Sequence, residues 1–250
     1  MEHRVLKAEE YGVPQERRRI FFIGSRETKT ILWPKPTHSS GDNGPDIFSL
    51  QGAKGLLPCV TVWEAIGDLP PLNICEGQEE SEYALAPQSQ FQRTMRRGAT
   101  KLYNHVAPYL AEVNMERLTY IPQGGSWRDI PHRLLPAGMK RAKRSDHTKR
   151  YGRLHPDGLC CTILTKCDLH WGSFIHPTQE RSLTVREAAR FQTFPDKIRF
   201  TGPKGDQFRQ VGNAVPPLLG KAVATQIAKM LIARMLKKAP ILQGMTQLAG

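Results

Sequence analysis

The chain has 250 residues, 39% of them hydrophobic, and a formal net charge of +13 at pH 7. That length suffices for one large domain or two modest ones, while no stretch approaches the ~20 apolar residues of a membrane helix, and the polar opening Met1-Glu2-His3-Arg4 is unlike a secretory signal. The expectation is a cytoplasmic protein, nucleoid-associated if prokaryotic, with no membrane contact; its charge points either to a polyanionic partner such as nucleic acid or to a merely basic surface.

In chain order, the segment Val5 to Ser25 closes on the apolar run Ile20-Phe21-Phe22-Ile23-Gly24. Its length and β-rich content predict a buried strand. Arg17 and Arg19 then share one face, because side chains alternate along a strand. Two planar guanidinium groups on one face suit a phosphate or a polar base edge; an exposed basic strand end is the plainer alternative. Trp33 to about Pro58 is rich in Pro, Gly, Ser and Asp and reads as a connector. Val60 to Ile66 reads as a short strand and helix ended by Gly67 and Pro70, followed by an acidic loop with Glu76, Glu79, Glu80 and Glu82.

Thr119 to Glu180 is different in kind, with Gly124-Gly125, short β-like runs and a dense basic patch. Between Arg133 and Arg153 stand eight Lys or Arg residues and one acid, Asp146. From Arg181 onward the pattern is helical. Thr184 and Glu187 fit a capping box, and Arg186 and Arg190, four apart, share a helix face that either works or is simply solvated. Gln210-Val211-Gly212-Asn213-Ala214-Val215-Pro216-Pro217 precedes a long helix. Either Asn213 caps that helix, or Gly212 lets the backbone approach a ligand that the Asn213 amide binds. From Leu219, the residues Val223, Ile227, Met230 and Leu231 recur at amphipathic helical spacing.

The five cysteines, Cys59, Cys75, Cys160, Cys161 and Cys167, are odd in number and irregular in spacing. Buried reduced thiols are expected, not a disulfide framework. A zinc site from Cys160, Cys161, Cys167, His155 and His170 lacks a Cys-x-x-Cys knuckle, so no metal is expected.

Three motifs stand in order: Tyr11-Gly12-Val13-Pro14-Gln15-Glu16-Arg17-Arg18-Arg19-Ile20-Phe21, then Arg181 to Asp196, then Gln210 to Pro217. Together they resemble the DNA cytosine-5 methyltransferases: that family's Gln-x-Arg-x-Arg motif, its Arg-x-Leu-Thr-x-Arg-Glu-x-Ala-Arg helix and its Gly-Asn-x-Val motif. Tyr151-Gly152-Arg153-Leu154 and Cys161-Thr162-Ile163 resemble the core of the family's target recognition domain. The resemblance implies an α/β fold in two parts. Residues 1–50 and 186–250 would be part of a Rossmann-like S-adenosylmethionine-dependent methyltransferase layer, and 51–185 an irregular, β-rich recognition domain. A related RNA methyltransferase group shares the fold, and the long basic recognition stretch favours DNA.

By the same resemblance, Arg19 would bind the ring oxygen of an extruded cytosine, Arg17 would support that site or a phosphate, and Gln15 would orient the motif. Asn213 and Ala214 would line the S-adenosylmethionine pocket, Ala214 standing where several family members carry a hydroxyl. Arg181 and its helix would brace the recognition domain. Arg133, Lys140, Arg141, Lys143, Arg144, Arg153 and Thr162 would face double-stranded DNA. The processes implied are DNA methylation and restriction-modification. The family's Gly-rich cofactor loop, Pro-Cys-Gln nucleophile and Glu-Asn-Val acid all precede the arginine motif, and only ten residues precede Tyr11 here. Pro58-Cys59 runs into Val60-Thr61-Val62 and falls after the motif. The resulting expectation is the C-terminal half of a split enzyme, inactive alone, whose nucleophile comes from a second polypeptide. The alternatives are a truncated product or fragment without a partner, and a noncatalytic DNA-binding protein.

Overall fold

The computed structural model describes residues 1–26, 30–39 and 55–238. Strand β1 (Glu2–Lys7) and strand β2 (Arg18–Ile23) form an antiparallel pair, with Val5 opposite Ile20 and His3 opposite Phe22. Between them Gly12, at φ 78°, ends a 3-10 turn in the left-handed region that favours glycine. The sequence predicts a buried strand at Ile20 to Ile23, but β2 is buried on one face only. Ile23 is buried, whereas Ile20 and Phe22 are exposed, Phe22 at 63%. Polar β1 carries no visible alternation and was not anticipated.

In the predicted connector, β3 (His38–Ser39) pairs in parallel with β4 (Leu57–Pro58); residues 40–54 lie outside the described residues. Helix α1 (Val62–Ile66) is capped at Thr61 by a full capping box with Glu64. The predicted acidic loop is instead strand β5 (Gly77–Ser81). Helix α2 (Gln90–Met95) follows, and β6 (Leu102–Val106) pairs antiparallel with β5. The acids of β5 are accommodated because cations meet them from elsewhere: Lys101 and Arg199 reach Glu80, and Lys204 reaches Glu79. Helix α3 (Glu112–Leu118) leads into 3-10 turns and long irregular backbone. The chain closes with α4 (Val185–Phe191), α5 (Lys204–Asn213) and α6 (Pro217–Lys238). No helix among the described residues is long and apolar enough to cross a membrane.

Three apolar clusters hold these elements. The largest joins Val62, Ile66, Phe91 and Leu102 to Cys160, Ile163 and Phe174 and to Leu183, Phe191 and Val211, so it draws on both sides of residue 185. A second gathers Leu118, Trp127, Met139, Tyr151 and Ile175. A third packs Leu6, Tyr11, Val13 and Ile23 against Leu219 and Val223 of α6. The predicted stripe of α6 divides there. Leu219 and Val223 are buried, while Ile227 and Leu231 are exposed.

Helix α4 is the centre of the molecule. Thr184 and Glu187 make the predicted capping box, and all seven helical residues are buried. Its arginines are not solvated. Arg190 donates to Asp68 at 2.5 Å and to Asp196 at 2.6 Å. Arg186 donates to the carbonyls of Tyr103 and Ile198. Arg181 holds Glu187 by two bonds, of 2.9 and 2.7 Å, and also reaches the Leu72 carbonyl. Arg181 and Arg190 reach segments more than a hundred residues earlier in the chain, and Arg186 reaches one 83 residues earlier.

This network sets an expected pH dependence. Burial acts to raise the Glu187 pKa, but the Arg181 ion pair overrides it and holds the carboxyl well below the usual range. Burial pushes His176, 3.6 Å from Glu187, down to about 4, against a pull upward from that carboxylate. His105 is also lowered, by burial first. All three groups bind protons more readily once unfolded. Their stabilisation is therefore present above the unfolded histidine value of ~6.5 and is lost as pH falls toward the folded values. Urea midpoints should fall between pH 7.5 and pH 5, and His176→Gln should flatten that fall; pH-independent midpoints would contradict it.

Candidate functional site

The three sequence motifs converge on one buried junction. Gln15 is completely buried, and its side-chain Nε2 donates to the Phe191 carbonyl at 2.9 Å and to Gln192 Oε1 at 3.1 Å. Its Oε1 accepts from the Ile163 backbone N–H at 2.9 Å. Gln192 in turn donates to the Val211 carbonyl. The backbone of the first motif is stitched to residue 160 on both sides: Cys160 N–H donates to Pro14 and Glu16 N–H donates to Cys160.

Arg17 completes the junction. It is buried, and its guanidinium donates to the carbonyls of Ile163 at 2.9 Å, Gly212 at 3.0 Å and Ala214 at 3.1 Å. These bonds commit it to protein carbonyls, so of its two expected roles supporting the site fits and a phosphate contact does not. Burial and the neighbouring Arg19 push its pKa down to about 10, so it remains a cation at neutral pH.

Arg19 differs. It is half-buried, its one hydrogen bond among the described residues goes to the Arg18 carbonyl, and it has no carboxylate partner among them. Burial lowers its pKa. Arg17 and Arg19 together line a cavity of about 400 Å³ with Thr162, Leu164, Lys166, Trp171 and Gly212. A cavity edged by an arginine without a counter-ion favours an anion or an electron-rich oxygen.

Gly212 is explained by packing. A Cβ there would overlap the backbone of Leu164 and Thr165, so its close approach is to protein chain and not to a ligand. The carbonyls of Gly212 and Ala214 are taken by Arg17. Asn213 ends α5 with its side chain exposed and without a hydrogen bond among the described residues. Its amide is therefore available to a ligand, and Ala214 beside it is half-buried.

The expected DNA contacts divide. Arg133, Lys140, Arg141, Lys143 and Arg144 are exposed, and Arg133 pairs with Glu116 at 3.2 Å. Arg153 is not at the surface. It is buried and donates to the carbonyls of Leu118, Ile121, His176 and Gln179 and to Glu180. A charge in sequence does not reveal burial, and here the guanidinium joins the carbonyls of two separate segments, 118–121 and 176–179. Thr162 donates to the Glu16 carbonyl at 2.6 Å, at the cavity rim.

Sequence reasoning gave no role to Glu16, Gln192, Lys166 or Trp171. Gln192 stood inside a motif, and its burial was the missing fact. Glu16 ion-pairs with Lys149 and so joins the basic stretch to the arginine motif. No cysteine lines the cavity. Cys160, Cys161 and Cys167 are buried, and burial with Glu9 and Glu10 pushes the Cys59 thiol up to about 11, far from an activated nucleophile.

Residues 1–229 match the family described as C-5 cytosine-specific DNA methylase. The Type II methyltransferase M.AgeI of Thalassovita gelatinovora is 32% identical over 89% of this chain and 64% of its own length. M.DdeI of Desulfomicrobium norvegicum is 33% identical over 90% of this chain and 53% of its length. DNA (cytosine-5)-methyltransferase 4 of Arabidopsis thaliana is 34% identical over 91% and 17%. The chain thus spans roughly half to two thirds of these bacterial relatives and a smaller part of the plant one. A crystal structure described as a DNA modification methyltransferase encoded within a prophage (E. coli) superposes with a TM-score of 0.62. It covers 93% of this chain and 60% of that one at 22% identity, which speaks to the fold alone.

Proposed function

The chain belongs to the C-5 cytosine-specific DNA methylase family, and from that membership we propose that it supplies target recognition and the cytosine end of the pocket for methyl transfer to C5 of cytosine in double-stranded DNA. The observation that carries this reading is Arg19, a half-buried cation without a counter-ion among the described residues, on the wall of a cavity lined by the first and third motifs and by residues 162–171. A base inside a duplex is out of reach, so the target must be extruded. Arg19 then donates to the ring oxygen and offsets the negative charge that grows on the ring as it is attacked. Arg17, Gln15 and Gln192 act through Arg19's surroundings by fixing the walls.

S-adenosylmethionine supplies the methyl group when bound. Of this chain's residues, Asn213 and Ala214 would hold it, and the Asn213 amide, exposed and without a hydrogen bond among the described residues, fits that part. The remaining contacts, the thiolate and the acid come from residues outside these 250, on our reading from a second polypeptide. Two surfaces support that reading: Val5, Ile20 and Phe22 on the open sheet face, and Ile227, Leu231 and Ile232 on α6, are exposed large hydrophobics. Because each is already about half-covered, covering it fully would gain roughly half of the ~1.5–3 kcal/mol that a wholly exposed side chain gains.

The test is methylation of duplex DNA, read by bisulfite sequencing, with the chain alone and mixed with a polypeptide carrying Pro-Cys-Gln and Glu-Asn-Val. Protected cytosines are expected only in the mixture. Methylation by the chain alone would make one of its own thiols the nucleophile and end the proposal. Binding of DNA without methylation in either arm would favour a noncatalytic DNA-binding protein.

A further inference from the structure

We propose that Trp171 is a stacking platform for a DNA base at the mouth of the Arg17–Arg19 cavity, an inference that rests on the DNA reading above and names a contact it does not contain. Trp171 is 58% exposed. An indole left in water is unusual for so large an apolar group, and here it is held in place. The turn that carries it is pinned: Asp168 Oδ1 accepts from His170 N–H at 2.8 Å, and Trp171 N–H donates to the Asp168 carbonyl at 3.0 Å. His170 is fixed by the Tyr151 hydroxyl at 2.9 Å and meets the indole edge-on at 6.1 Å between centroids. The Arg150 guanidinium lies 5.2 Å from the indole centroid.

Its position gives this rigidity a use. Trp171 lines the cavity that holds Arg17 and Arg19, and also a neighbouring surface depression of about 410 Å³ formed with Ser145, His147, Lys149 and Arg150. One aromatic face thus stands between the pocket for an extruded base and a basic groove suited to the backbone. Every base has a π-face, so stacking there needs no sequence match. It would shield the step from which a nucleotide has left.

Binding of the 250-residue chain to a labelled duplex carrying one unpaired cytosine, and to the fully paired duplex, tests this. Base–aromatic stacking is worth about 1–3 kcal/mol, so Trp171→Ala should weaken binding to the unpaired duplex about tenfold with its salt dependence unchanged. Trp171→Phe should keep most of the affinity. Tryptophan emission should fall on binding in the native chain and much less in Trp171→Phe. Neutralising Lys140, Arg141, Lys143 and Arg144 together should instead flatten the salt slope by about 0.9 per lost phosphate contact. Native-like affinity in Trp171→Ala, or equal emission changes in native chain and Trp171→Phe, would overturn the platform while leaving the DNA reading intact. Failure of the native chain to bind either duplex at any salt would overturn both.

Discussion

Arg19→Ala is expected to lower methyl transfer by the assembled enzyme about 10²–10³-fold, the usual cost of losing one donor to developing charge in a buried site. Its stability should be nearly unchanged, because among the described residues the Arg19 guanidinium makes a single hydrogen bond, to the carbonyl of its own neighbour Arg18. Arg19→Lys should also be poor, since an ammonium cannot reproduce the planar fork. Single-turnover methylation with a tritiated methyl donor, beside a thermal melt, separates the two effects. Near-normal turnover in Arg19→Ala would mean that another group faces the ring oxygen. Arg17→Ala should behave oppositely, lowering the melting temperature along with activity, because three protein carbonyls lose their donor.

The largest effect on stability is expected from Arg190→Ala. Arg190, Asp68 and Asp196 are all inaccessible to solvent, and the arginine is shared between both carboxylates. Removing it leaves two buried anions. Arg96 remains on Asp68 at 3.1 Å, and Arg186 stands 3.7 Å from Asp196, so neither is wholly abandoned. Breaking a buried pair by deleting one partner still costs about 3–5 kcal/mol, a large share of the ~5–15 kcal/mol that holds a typical domain. A urea titration should show the midpoint collapse. Arg190→Lys should recover little, because one ammonium cannot bridge two carboxylates with the same geometry. A loss below about 1 kcal/mol would show that Arg186 and Arg96 suffice.

What could be read in advance was what local chemistry dictates. The capping box at Thr184 and Glu187 and the helix read from Leu219 follow from short-range pattern, and both are present, the helix beginning at Pro217. Burial of charge did not follow. Arg153, Arg181, Arg186 and Arg190 look like surface residues in sequence, and their partners are carbonyls and acids from distant segments. Strand β5 is hidden for a related reason: its glutamates read as a solvated loop, and the cations that pair with them at its half-exposed face, Lys101, Arg199 and Lys204, come from elsewhere in the chain. Gly212 was rightly singled out as a close approach, but what approaches is the chain at Leu164. The order of the motifs points to a family, whereas the junction of Gln15, Gln192 and Gly212 joins residues up to 197 positions apart that no local pattern links.

That junction also has a history in time. Arg17 is bonded to Ala214 across 197 positions of sequence. On a ribosome adding ~5–20 residues per second, the first strand pair must wait roughly 10–40 s for the segment that locks it. During that interval Leu6, Phe21 and Ile23 lack Leu219 and Val223 of α6, which cover them in the finished fold, and contacts of such long range are also slow to close once the chain is free. The nascent chain is therefore at its most vulnerable early and is rescued late, which makes it a natural client for chaperones that shield apolar segments during synthesis.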